Sequence, residues 1–81
     1  MQFIDVLRMQ SLNQFIQVEE LFEGRIQTRR TGIMKVGNMK WEKIRHFEYK
    51  NVCEIVPCCQ GEKRYLFVQV NDKDKCFYHR G

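Results

Sequence analysis

The 81-residue sequence has no apolar stretch near the roughly 18–20 residues that a membrane span needs. Its N-terminus has no basic leader, no long apolar run and no small-residue cleavage site, so no signal peptide is expected. Low-complexity tracts, linkers and internal repeats are absent as well, and Pro57 is the single proline. The sequence therefore predicts a single domain over residues 1–81, located in the reducing cytoplasm.

Sequence signatures of catalysis are also missing. There is no G-x-S-x-G motif and no cysteine in a recognisable catalytic setting. Gly32 and Gly37 have the spacing of a phosphate-binding loop, but Asn38 and Met39 follow where that motif requires lysine and then serine or threonine. These absences favour a binding module over an enzyme.

A small ribonuclease remains an open alternative to the binding module. The chain has two histidines, His46 and His79, with Lys, Arg and Tyr residues nearby in the sequence. Two such imidazoles can serve as general acid and base in RNA cleavage. We favour the interpretation that both are surface or core histidines without a catalytic role.

The four cysteines do not form the paired C-x-x-C that is typical of zinc sites. Cys76-x-x-His79 does have a zinc-knuckle spacing, and three more cysteines precede it. On an extended strand, however, Cys53 and Cys59 would lie roughly 20 Å apart. We therefore expect no cofactor and small buried or free thiols, with zinc as the alternative; its candidate ligands are Cys53, Cys58, Cys59, Cys76 and His79.

Positive charge is plentiful but unevenly spread. The net charge of +4 divides into −3 over residues 1–23, where four acids face one arginine, and +7 over residues 24–81, where 13 Lys/Arg face six acids. A basic segment of this kind favours a partner with negative charge.

The N-terminal third carries a helical pattern. Ser11 and Gln14 match a capping box, and Gly24 stands where a helix would end. The sequence therefore predicts a helix over 12–23 with one apolar face. The residues of that face are Leu12, Phe15, Val18 and Phe22.

The rest of the chain is dominated by period-two alternation. Residues 2–9 stay undecided between strand and helix, with a short strand slightly favoured by their β-branched content. Beyond Gly24 the pattern predicts strands separated by polar or glycine-containing turns, and Pro57 restricts its strand to an edge or an end. The sequence thus predicts an α+β fold, in which one N-terminal helix packs on a twisted antiparallel β-meander of four to six strands. The predicted strands are 26–30, 33–36, 41–49, 52–56, 65–70 and 76–79, and the predicted turns include Thr31-Gly32, Gly37-Asn38, Lys50-Asn51 and Gln60–Lys63.

The most informative pattern is an alternation of aromatic and basic residues at 41–49. If this segment is a strand, Trp41, Lys43, Arg45, Phe47 and Tyr49 share one face, which can stack bases and neutralise phosphates. A helix over 39–50 is the competing interpretation. This face of the predicted strand 41–49 can also belong to the core, packed under the predicted helix, with the aliphatic parts of Lys and Arg along its edges.

Together these features predict a small basic module that binds nucleic acid, either RNA or single-stranded DNA. The alternative is a protein-interaction factor, an inhibitor or adaptor that docks on an acidic partner, and a homodimer through an edge strand also stays open. Neither hypothesis involves a membrane. Further cations would reinforce the basic surface; they are Arg25, Arg29, Arg30, Lys63 and Arg64.

Overall fold

The computed structural model describes residues 1–22 and 27–71 and shows a small α+β fold. The predicted fold class is thereby confirmed, although several of its elements differ from prediction. The predicted strand at 76–79 lies outside the described residues. In chain order the elements are α1 (Phe3–Arg8), β1 (Phe15–Phe22), β2 (Gln27–Arg30), β3 (Met34–Lys35), a 3-10 turn (Val36–Asn38), α2 (Trp41–Phe47), β4 (Asn51–Gln60) and β5 (Lys63–Asn71).

The N-terminal segment is a helix, α1, and the slightly favoured strand is wrong there. The backbone N–H of Gln2 donates to Asp5 Oδ2 at 3.1 Å, and the Asp5 N–H donates back to the Gln2 carbonyl at 3.0 Å. Asp5 in the first turn and Arg8 in the last complement the helix dipole. Phe3 and Val6 are fully buried, so the apolar pattern of this segment serves a helix packed on the sheet.

The predicted helix cap at Ser11 is a turn instead. The Ser11 carbonyl accepts the Gln14 N–H at 3.0 Å, and Ser11 Oγ accepts the Asn13 N–H at 3.1 Å. Serine binds nearby backbone N–H groups in turns as readily as at helix caps. The capping-box spacing therefore marks the turn that leads into β1.

The predicted helix over 12–23 is wrong, because most of this segment is the strand β1. Ile16 and Val18 lie on the face towards the helices and are fully buried. β1 has neighbouring strands on both edges, which satisfy its backbone groups along its length. A short isolated helix would gain less, since helices of this length depend on tertiary packing for their stability.

The strands β2 and β3 lie one after the other along the same edge of β1, so Thr31-Gly32 is not the turn of a hairpin between them. The Thr31 N–H donates to the Val18 carbonyl at 2.9 Å, and Thr31 Oγ1 accepts the Val18 N–H at 3.1 Å. The predicted turn at Gly37-Asn38 falls within the 3-10 turn. There the Gly37 N–H reaches the Leu12 carbonyl at 2.9 Å, and a Cβ at Gly37 would lie 3.1 Å from that oxygen.

The predicted strand over 41–49 is also wrong, and the competing helix is confirmed as α2. Ile44 and Phe47 are three residues apart and pack towards the core, where Phe47 is 4% exposed. The ring of Phe47 meets that of Phe3 edge to face at 5.6 Å between centroids. Lys, Glu and Arg at the other positions favour helix more than strand. As a consequence Lys50-Asn51 leads from α2 into β4 and does not close a hairpin.

The strands β4 and β5 form a hairpin, which confirms both the strand predicted at 65–70 and the polar turn after Gln60. Gly61 has a φ of +64°, a conformation that glycine adopts at little cost. Pro57 lies within β4, opposite Leu66. Among the described residues β5 is the one strand beside β4, and the bridge from Gln2 on the other side reaches Asn51 at the start of β4, away from Pro57. Pro57 is thus at an edge, which is where a sheet tolerates proline.

The sheet is mixed rather than purely antiparallel, in the order β2-β1-β5-β4, with β3 beside β1. β1 and β5 run parallel, from Phe15 opposite Tyr65 to Leu21 opposite Asn71. Parallel neighbours require a crossover, and the chain between them includes α2. No helix in the described ranges is long and apolar enough to cross a membrane. The core between helices and sheet consists of Phe3, Val6, Ile16, Val18, Val36, Met39, Phe47, Val68 and Val70.

Candidate functional site

The sheet presents a second face, turned away from α1 and α2. Side chains alternate along a strand, so the neighbours of the buried Ile16 and Val18 point to this other face. The ladders place three aromatic residues there, on the two central strands. Leu21, further along the same face, is buried. The accessible part of this face therefore lies towards Phe15 and Tyr65. We call the following set the aromatic face: Phe15, Glu19, Arg30, Lys35, Lys63, Tyr65, Phe67 and Gln69.

The three aromatic residues occupy neighbouring positions on the two central strands. Phe15 on β1 stands directly opposite Tyr65 on β5, and adjacent strands lie about 4.8 Å apart. Phe67 follows two residues after Tyr65, which is about 6.6 Å further along the strand. All three side chains are half-buried, so each exposes part of its surface to solvent.

Cations lie over two of these rings. Lys63 Nζ is 4.8 Å from the centroid of Phe15, and Lys35 Nζ is 5.8 Å from the same centroid. The Arg30 guanidinium lies 5.3 Å from the centroid of Phe67. These distances are within the range of cation–π attraction. The aromatic face therefore holds its positive charges beside its rings.

A buried carboxylate anchors the arginine of this face. Glu19 Oε2 accepts the Arg30 Nε–H at 2.8 Å, and Glu19 Oε1 accepts an N–H of Gln69 at 2.8 Å. Burial on its own would raise the pKa of Glu19, but these two hydrogen bonds and the charge of Arg30 hold that pKa below its usual value. The same carboxylate raises the pKa of Arg30. Both groups are thus charged at neutral pH.

One further carboxylate of this sheet face belongs to the outer strand. Glu54 stands opposite Gln69 and is exposed. Because Glu19 is neutralised by Arg30, the lysines at the Phe15 end carry the uncompensated positive charge. Charge on this face is therefore graded, from positive near Phe15 to a net negative charge near Gln69, where Glu19 and Glu54 outnumber Arg30.

A shallow cleft of about 390 Å³ opens at the Tyr65 end of the sheet. Burial and a hydrogen bond with Cys58 raise the pKa of Tyr65, so its phenol stays protonated at neutral pH. Arg64 brings a positive charge to the rim of the cleft. The lining residues are Gln14, Pro57, Cys58, Cys59, Arg64, Tyr65 and Leu66.

The residues predicted from the 41–49 alternation do not share one surface. Phe47 is in the core, whereas Trp41 is 66% and Tyr49 is 70% exposed. Lys43 and Arg45 are exposed on α2. Since α2 packs on the opposite side of the sheet, these four exposed residues lie away from the aromatic face.

The other predicted cations are divided between surfaces. Arg30 and Lys63 belong to the aromatic face, and Arg64 lies at the cleft beside it. Arg29 is exposed and stands opposite Glu20, on the helix side of the sheet. Arg25 lies outside the described residues.

The candidate zinc ligands are not gathered in the described part of the chain. Cys53, Cys58 and Cys59 are spread along β4, and Asn71 donates a hydrogen bond to the Cys53 sulfur at 3.3 Å. No group of three or more His, Cys, Asp or Glu side chains there is placed to hold a metal ion. Cys76 and His79, the other two candidates, lie outside the described residues.

His46, a candidate for acid–base catalysis, belongs to a polar cluster on the helix side. Its Nε2 lies 3.0 Å from Oε2 of Glu20, a carboxylate that is 2% exposed, and Lys50 Nζ lies 3.1 Å from the same oxygen. The cluster joins α2, and Lys50 in the connection from α2 to β4, to β1. The other histidine of that hypothesis, His79, is outside the described residues.

Sequence reasoning missed Phe15, Lys35, Tyr65 and Phe67 as candidate site residues. The alternation of Tyr65, Phe67 and Gln69 along the strand predicted at 65–70 was a signal that could have placed the two rings on one face. Phe15 carried no such signal, because its segment matched a helix equally well. Its position opposite Tyr65 depends on a pairing across fifty residues.

Comparison with protein-family models, with curated proteins and with solved structures finds no match to this chain.

Proposed function

We propose that this chain is a non-enzymatic binding module that holds single-stranded nucleic acid, RNA or DNA, on the aromatic face. The observation that supports the proposal is the set of three half-buried rings, Phe15, Tyr65 and Phe67, with three cations within 6 Å of two of them. The proposed activity needs no metal or cofactor.

The rings suit unpaired bases. Every base has a π-face, and stacking on an aromatic side chain contributes about 1–3 kcal/mol per base. Phe15 and Tyr65 lie on adjacent strands, so two successive bases can cover them, and a third base would meet the Arg30 guanidinium that lies over Phe67. A duplex keeps its bases stacked on each other, so the proposed ligand is single-stranded.

The lysines suit the phosphates of such a strand. Lys35 and Lys63 are held near Phe15, and Arg64 lies at the cleft that adjoins Tyr65. A backbone that follows its bases over Phe15 and Tyr65 passes these three charges. The excess of +7 over residues 24–81 would add long-range attraction.

The direct test is a titration of the full chain with fluorescent single-stranded oligonucleotides, followed by anisotropy at two salt concentrations. With three to four phosphate contacts, the affinity should fall about 20- to 50-fold between about 50 and 200 mM salt. Absence of binding to RNA and to DNA at low salt would remove the proposal.

Paired variants locate the binding surface. Phe15→Ala removes a ring from the aromatic face and should weaken binding about 5- to 150-fold, the equivalent of one lost stacked base. Trp41→Ala removes an exposed ring from α2 and should leave the affinity unchanged. The reverse result would assign binding to the surface of α2 that the sequence predicts. Circular dichroism on both variants checks that they are folded.

A second candidate function, docking on a protein, is supported by the edge strand. β4 is ten residues long and, among the described residues, β5 is the one strand beside it; on its other edge Gln2 and Met1 bond to its first two residues, Asn51 and Val52. Ile55 in its middle is 38% exposed. An extended segment of an acidic partner or of a second copy could add to such an edge through backbone hydrogen bonds. The reducing cytoplasm that the sequence predicts is the compartment we propose for either function.

A further inference from the structure

Arg30 is held in place more firmly than a residue that only attracts phosphate needs to be. Its Nε–H is bonded to Glu19 at 2.8 Å, and its guanidinium lies over Phe67 at 5.3 Å from the ring centroid. The side chain is nevertheless 60% exposed, whereas that of Glu19 is 8% exposed. The guanidinium is thus oriented by a buried partner while much of its surface faces solvent.

Glu19 is itself fixed, because Gln69 donates to its second oxygen at 2.8 Å. Both carboxylate oxygens therefore have a partner within the protein. This arrangement restricts the rotation of the Arg30 side chain, and it leaves Glu19 little capacity to accept a hydrogen bond from a ligand. Glu19 is accordingly a positioning residue for Arg30.

The charge of the pair argues against a role for Arg30 as a simple phosphate contact. A carboxylate at 2.8 Å offsets most of the field of the guanidinium, so long-range attraction for phosphate is weakened. Arg30 can still form directional hydrogen bonds with a ligand, since its Nη groups form no hydrogen bond that the structure shows within residues 1–22 and 27–71. A planar fork of donors recognises two adjacent acceptors in its own plane.

We propose, on the basis that the aromatic face binds single-stranded nucleic acid, that Arg30 makes this face selective for guanine. Guanine presents O6 and N7 as adjacent acceptors, and arginine bidentate to these atoms is the commonest specific contact to a base. Adenine pairs its N7 with an amino donor, which opposes the arginine donors. Cytosine offers an acceptor pair on a smaller ring system and stacks on less aromatic surface.

The test measures base preference rather than overall affinity. The probes are uridine oligomers of about eight nucleotides that carry one central guanosine, adenosine or cytidine, and a matched set in single-stranded DNA with thymidine. The wild-type chain should bind the guanine oligomer about 5- to 150-fold more tightly than the others, the range of one bidentate base contact.

Substitution of Arg30 by lysine separates charge from geometry. Arg30→Lys keeps the positive charge but not the fork, so it should lose the guanine preference and change affinity for the uridine oligomer little. Glu19→Gln should reduce the guanine preference as well, because it weakens the hydrogen-bonded ion pair that orients Arg30. Arg8→Lys makes the same chemical change on α1, outside the aromatic face, and should retain the preference.

The outcomes distinguish this inference from the function on which it depends. No binding of any oligomer at low salt overturns the nucleic-acid proposal itself. Equal binding of all bases, a preference for cytosine, or an equal loss of affinity for every sequence in Arg30→Lys overturns the guanine assignment alone. Thermal unfolding of each variant shows whether a loss of affinity comes from a loss of fold.

Discussion

At the scale of single residues, the two consecutive glutamates of β1 show how position determines what a charge does. Glu19 points to the aromatic face and Glu20 to the helix side, and both are buried. Glu19 is paired with Arg30, while Glu20 lies between His46 and Lys50. A run of acids is usually a solvated surface, and the sequence alone does not identify these as buried. Each carboxylate instead ties β1 to another element.

The Glu19 pair predicts a component of stability that depends on pH. The pKa of Glu19 is lowered in the folded chain from an ordinary 4.5, so the pair contributes its stability above that pH. This contribution is lost as the pH falls through the lower, folded pKa. Between pH 7 and about pH 3, the free energy of unfolding, measured with urea, should therefore fall more for the wild type than for Glu19→Gln, because glutamine does not titrate.

The control for this prediction is Glu54→Gln. Glu54 is an exposed carboxylate on the same side of the sheet, and its substitution should leave the loss between the two pH values as in the wild type. Equal losses of unfolding free energy in the wild type and in Glu19→Gln would contradict this prediction, since the acid sensitivity would then come from other groups.

At the scale of elements, the sequence predicts best where a local signal is unambiguous. β5 and the turn at Gly61 are of this kind, because sustained alternation and a positive φ are both local features. β1 and α2 are of the other kind. In each, apolar residues fall at spacings that suit a helix and a strand alike. Packing decides between them: β1 gains neighbours on both edges, and α2 places Phe47 in the core.

The two aromatic residues at the ends of α2 give a test of this assignment. Phe47→Ala leaves a cavity beside Phe3 and should lower the free energy of unfolding by about 3–5 kcal/mol. Trp41→Ala removes a ring that is 66% exposed and should change it by about 0.5 kcal/mol or less. Urea unfolding at neutral pH measures both. Equal effects would show that the two rings share one face, as the predicted strand required.

At the scale of the whole molecule, the topology brings distant segments together. The parallel pairing of β1 with β5 places Phe15 opposite Tyr65 and so creates the aromatic face. The same order puts β4 at an edge, and Pro57 interrupts its row of backbone donors. The proposed base-stacking surface is therefore on one side of the sheet, and the proposed docking strand is at one edge.

The edge-strand candidate predicts self-association that a charge on β4 abolishes. If β4 pairs with a second copy, light scattering at high concentration should report a mass approaching twice 9.9 kDa. Ile55→Lys places a charge on that edge and should return the mass to that of a monomer. Thr28→Lys, which adds the same charge on β2, should not. A wild-type chain that stays monomeric at high concentration counts against a homodimer built on β4.

The α+β class, the strand β5, the hairpin turn and the basic excess follow from the amino-acid sequence, because each depends on composition or on contacts between near neighbours. Only the folded chain decides that β1 is a strand and α2 a helix, and that the sheet is mixed. It also decides that Phe15 lies beside Tyr65, Lys35 and Lys63. Periodicity over eight residues fits two structures equally well, and the choice is made by partners up to fifty residues away. The sequence places a basic, aromatic-rich sheet in this chain, and the fold determines which rings and which cations share a face.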